Sequence, residues 1–126
     1  MSRKVLDAVH IHPAIHTHIV NYQADIIAEV QSAIAQNRVV LVGMRQNPFP
    51  RKARKLLDSR GIAYAYLEYG SYFSEWRRRL ALKMWTGWET FPMIFVNGVL
   101  IGGAKDLERL MANGELAGML GMQLPG

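Results

Sequence analysis

Asn97-Gly98, set between the apolar runs Met93-Ile94-Phe95-Val96 and Val99-Leu100-Ile101, constrains this chain more than any other feature. An Asn-Gly pair between two apolar runs is the strongest short-range hairpin signal. The surrounding block, WETFPMIFVNGVLIGGAKD over 88–106, reads as loop, strand, turn, strand and helix start. The first run is apolar and partly β-branched, which suits a buried strand. Gly102-Gly103 lets the backbone pass close to a neighbour. Residues 104–111 then have helical spacing, with Asp106 in the first turn.

The rest of the chain alternates around this block. Ile26, Ile27, Val30, Ala33 and Ile34 fall on one helical face, predicting a helix over 22–36 with Asn37 as its C-cap. The continuous run at 39–42 predicts a central buried strand. Pro48 can open the next helix, which runs to about residue 60 and stops at Gly61. Ala53, Leu56 and Leu57 form its core face, opposite a basic face of Arg51, Lys52, Arg54 and Lys55. IAYAYL at 62–67 predicts a second strand. Ser71 or Ser74 is expected to cap a helix over 75–86, with Trp76, Leu80 and Met84 on one stripe. A last short helix is expected at 115–120. The order is mixed α/β, with a parallel half and a hairpin half.

The length of 126 residues fits one domain, and 50% hydrophobic residues suffice for a sizeable core. The apolar runs fall far short of the ~20 residues of a membrane span, and no signal peptide is visible, so a cytoplasmic protein is expected. A net charge of +5 suits solvated basic faces, or attraction to anions. There is no cysteine anywhere in the chain.

Several motifs together resemble the glutaredoxin family. They are Thr90-Phe91-Pro92, Asn97-Gly98, Gly102-Gly103 before a helix, and Asn113-Gly114-Glu115-Leu116 near the end. Trp88 resembles the single-cysteine branch, although Glu89 departs from its usual Pro. The resemblance spans about residues 24–121. It implies a thioredoxin-like fold, with a mixed central sheet of about four strands flanked by helices. It divides the chain into an extension over 1–21 and a glutaredoxin-like domain over 22–126.

The resemblance also places the family's active site. Asn47-Pro48-Phe49-Pro50 occupies the motif that holds the two thiols, with Asn47 at the nucleophile position and Pro50 at the second. A carboxamide forms no thiolate and no mixed disulfide, so thiol–disulfide exchange is not expected. Asn47 also suits an N-cap. What the resemblance leaves is a groove for glutathione. Phe91 would pair with the ligand backbone before a cis Pro92. Arg79 would meet the glycyl carboxylate, or be one of a solvated Arg77–Arg79 run. Arg45 could replace a family lysine that falls on Met44. At the other end, amides near Lys105 could take the γ-glutamyl carboxylate. Asp106 could accept the α-ammonium or favour the helix dipole.

Three readings follow. The chain is a non-catalytic glutathione- or anion-binding protein, without an iron–sulfur cluster since no protein thiolate is present. Alternatively it is a protein-interaction module on a dead groove. A nucleic-acid binder using 51–60 and 77–79 lacks interleaved exposed aromatics. His10, His12, His16 and His18 all lie in the extension. They match no familiar metal spacing and read as a polar extension rather than a metal site.

Overall fold

A computed structural model describes residues 6–71 and 74–121. After a 3-10 turn at Ala8–His10 the chain forms α1 (Pro13–Asn21), α2 (Ala24–Gln36), β1 (Val39–Gly43), α3 (Pro48–Ser59) and β2 (Ala65–Glu68). It continues through α4 (Trp76–Thr86), β3 (Met93–Val96), β4 (Val99–Gly102), α5 (Ala104–Ala112) and α6 (Glu115–Leu120). The four strands form one mixed sheet in the order β2-β1-β3-β4. β1 is parallel to β2, and β3 is antiparallel to both β1 and β4.

The hairpin turn forms as the sequence requires. φ is +50° at Asn97 and +79° at Gly98, and Val96 pairs with Val99 across them. Both positive φ values match the turn that follows the strand twist.

Alternation along the central strands separates two cores. Val39, Leu41, Ile94 and Val96 point to one side, where Ala53 and Leu57 of α3, Leu107 and Met111 of α5, and Leu116 and Leu120 of α6 cover them. Val40, Val42, Met93 and Phe95 point to the other, against Ile26 and Val30 of α2 and Ala81 and Leu82 of α4. Leu57 and Leu107 are fully buried. Truncating either to alanine removes apolar contact and opens a cavity, a loss of about 2–5 kcal/mol.

Three boundaries differ from the sequence expectation, and one helix is added. The helix expected from residue 22 starts at Ala24, because Gln23 sits in the left-handed region at φ +49°. The residues before it form a separate helix, α1, with the His12 side chain as N-cap, its Nδ1 accepting the Ala14 amide at 3.0 Å. β2 starts at Ala65, not residue 62. Ile62 turns into the core, and the ladder with β1 begins where Val40 meets Ala65. At α4 the N-cap is Glu75, at φ +54°, while Ser74 Oγ accepts the Ser71 amide in the preceding loop.

The stripe of Trp76, Leu80 and Met84 faces solvent. The buried residues of α4 are Arg79, Ala81 and Leu82. Periodicity finds a stripe but does not say which stripe is inside. Arg79 can turn inward because its guanidinium meets carbonyls there.

Candidate functional site

The site is built where the loop after β1, the loop before β3 and the start of α5 converge. Gly43 ends β1 against the first turn of α3. A Cβ there would lie 2.8 Å from Pro50 Cβ and 3.0 Å from Tyr66 Cε1, so a larger residue would displace the helix start. Asn47 caps α3, its Oδ1 accepting the Phe49 amide at 3.0 Å. Pro48 and Pro50 in the same turn have no N–H to offer. Asn47 Nδ2 donates to the Phe91 carbonyl at 3.4 Å, a long bond that ties the two loops.

The Phe91–Pro92 peptide is cis. Phe91 and Pro92 are buried, and with Phe49, Trp88 and Thr90 they line one wall of an open cleft of about 240 Å³. Gly103, Ala104, Lys105 and Asp106 line the other. The cleft is mostly apolar, with its polar groups at the α5 end.

α5 opens on Gly103, which has no side chain to take the first-turn amides. Asp106 reaches back instead, its Oδ2 accepting the Gly103 N–H at 2.9 Å and its Oδ1 pairing with Arg109 at 3.1 Å. Gly102 has φ +113°, and a Cβ on it would run into that carboxylate. Amides at the start of a helix attract anions, through unpaired donors and the aligned dipole. Lys105 adds an exposed positive charge beside them.

The remaining expected residues fall elsewhere. Arg45 is exposed and its Nε lies 3.7 Å from Glu68 Oε2. It lines a smaller polar pocket with Asn47, Arg51, Arg54 and Tyr66. The Tyr66 hydroxyl donates to Glu68 at 3.0 Å, and burial together with that bond pushes its pKa up to about 12. Arg79 is only 7% exposed and does not line the cleft. Its guanidinium donates to the carbonyls of Tyr69, at 2.9 Å, and of Ser74. Phe91, Pro92, Lys105 and Asp106 are thus brought together, while Arg45 and Arg79 stand apart from them.

Two aromatic residues outside the expected ligand contacts also line the cleft. Phe49, 51% exposed, and the half-buried Trp88 line the same wall as Phe91 and Pro92. Lys83 of α4, which is not part of the cleft lining, places Nζ 5.7 Å from the Phe91 ring centroid, a cation–π contact. Phe49 and Trp88 stand in motifs the sequence shows; nothing local in the sequence marks Lys83.

No thiol is present, and the four histidines lie before residue 22, away from the cleft's lining. Among the described residues no group of three His, Asp or Glu side chains could hold a metal ion. The residues that line the cleft include no histidine and no cysteine.

A mixed sheet with this strand order, and a groove between a capped loop and the helix after the hairpin, defines a thioredoxin-like protein. The glutaredoxin family profile matches residues 39–101. A glutaredoxin-like protein of Dictyostelium discoideum is 49% identical over 102 residues, covering 81% of this chain and 83% of that protein. Mitochondrial glutaredoxin-2 of Rattus norvegicus is 36% identical over 95 residues, covering 71% of this chain and 57% of its own length. The crystal structure of a buckwheat glutaredoxin–glutathione complex aligns with TM-score 0.71 and 25% identity, over 80% of this chain and 92% of that one. The chain belongs to the glutaredoxin family, and it is a cysteine-free member.

Proposed function

We infer that this protein binds glutathione, or a closely related peptide carboxylate, without thiol–disulfide turnover. The observation that carries the reading is the cleft itself. Its apolar wall at Phe49, Phe91 and Pro92 faces the start of α5, where Gly103 offers no side chain, Asp106 takes the Gly103 N–H and Lys105 stands exposed beside them. That combination suits a small extended molecule with an anionic end. The related buckwheat protein has been crystallised with glutathione, which supports the class of ligand. Asn47 supplies no thiolate, so bound ligand is held rather than processed.

Two consequences distinguish this role from catalysis. The ligand thiol is dispensable, so S-methylglutathione binds as glutathione does. The anionic end matters, so removing the Lys105 charge weakens binding. Titration calorimetry of both peptides into the full chain tests this. Lys105→Ala is expected to weaken affinity by about fivefold, the effect of one exposed charge contact near 1 kcal/mol. Absence of heat for either peptide through the millimolar range would sink the reading.

A further inference from the structure

We propose that the face formed by α1 and α4 docks on an anionic lipid surface. Among the described residues, nine large apolar side chains are left exposed, and five of them lie on these two helices: Ile15, Ile19, Trp76, Leu80 and Met84. Such side chains scattered singly need no explanation; gathered on one face they mark a contact surface. Trp76, Leu80 and Met84 repeat every four residues, so they stand in one row along α4. α1 brings Ile19 to the same row, since Ile19 and Met84 line one shallow cleft between the two helices.

Charge selects the occupant. Neither helix contains a single Asp or Glu, whereas α4 carries Arg77, Arg78, Arg79 and Lys83. Arg79 is buried, and Arg78 is engaged by Asp25, Glu29 and Glu75. That leaves Arg77 as the cation bordering the apolar row, joined by Lys83, whose Nζ also lies 5.7 Å from the Phe91 ring centroid. Arg77 lies over the Trp76 ring at 5.2 Å, so its stem and the indole form one amphipathic unit. A row of Trp, Leu and Met bordered by cations, on helices whose own residues include no Asp or Glu and with Glu75, Asp25 and Glu29 held on Arg78, matches a helix lying in the headgroup plane. The aromatic ring and the guanidinium both suit headgroup depth, and the aliphatic row suits the acyl boundary. No helix among the described residues is long and apolar enough to cross a membrane, so the attachment is peripheral.

Vesicle co-sedimentation of the full chain, followed also by tryptophan emission, tests the proposal. Phosphatidylcholine vesicles containing phosphatidylglycerol are compared with phosphatidylcholine alone. The expected result is binding to the anionic vesicles only, weakened by salt, with a blue-shifted emission. Trp76→Ser combined with Leu80→Ser is expected to lower the partition coefficient at least about tenfold, from the apolar area withdrawn from contact. Both positions are exposed, so an unchanged circular dichroism spectrum confirms that the variant folds. Arg77→Gln should lower it by about fivefold, the effect of one cation near an anionic surface. Equal binding to both vesicle types, binding unmoved by these variants, or no binding would overturn the proposal. So would a self-associating chain that Leu80→Asp disperses and that ignores vesicles.

Discussion

Replacing Asn47 with cysteine puts a thiol at the position the family uses for its nucleophile, and α3 sets how acidic it becomes. Of the residues that open α3, Pro48 and Pro50 have no N–H, so Phe49 is the donor left for residue 47. A thiolate there gains one amide contact and the positive end of the helix, worth about 0.3–1 kcal/mol at an exposed site. At about 1.36 kcal/mol per decade, that lowers the thiol pKa by roughly 0.2–0.7. Arg45, Arg51 and Arg54 line the pocket beside residue 47 and add a screened attraction, partly offset by Glu68, which lines it too and pairs with Arg45. The expected thiol pKa is about 7–8, below the ~8.5 of a free cysteine and far above the ~3.5 of the most acidic helix-start thiols. The pH profile of iodoacetamide alkylation measures it directly, since the parent chain has no cysteine and contributes no background. A midpoint at ~8.5 or higher would refute helix stabilisation at this site. A midpoint below ~6 would refute the limit set by the two prolines. The same variant loses the Asn47 cap and should unfold about 1 kcal/mol more easily, by urea titration.

Other perturbations have comparably defined outcomes. Gly43→Ala places a methyl against Pro50 and Tyr66 and should cost about 1–3 kcal/mol by urea denaturation; an unchanged midpoint would show that the α3 start moves freely. Arg79→Met leaves the Tyr69 and Ser74 carbonyls without their donor and should destabilise by about 1.5–3 kcal/mol. Glutathione affinity, measured on the folded fraction, should not change, since Arg79 does not line the cleft. Tyr66 holds its proton more tightly folded than unfolded, with its pKa raised to about 12 from 10.0. Its contribution to stability is therefore complete below pH 10 and lost as pH rises through about 12. Ultraviolet titration of phenolate, with Tyr66→Phe as the difference, should show a component titrating near 12.

The parts of the site that were legible beforehand are those made by neighbours in the chain. Asn47 caps α3 through a bond to the residue two positions on. Asp106 reaches the Gly103 amide three positions back. Phe91, Pro92 and Lys105 belong to motifs whose spacing is fixed by the hairpin. Arg79 was not legible in this way. Its environment is made by the Tyr69 and Ser74 carbonyls, presented by the loop after β2. Three consecutive arginines look alike in sequence, yet one is buried, one is bound to three carboxylates and one stacks on Trp76.

The amino-acid sequence by itself determined the hairpin, the helix start at Asn47, the mixed α/β order and the lack of any cysteine at residue 47 or elsewhere. Each rests on interactions within about four residues, or on the absence of one residue type. Tertiary structure alone decided which stripe of α4 faces the core, where β2 begins, and which cations reach the cleft. Those outcomes depend on partners distant in the chain. Hydrophobic periodicity is unchanged when a helix is rotated about its axis, and only the surface it packs against selects the face.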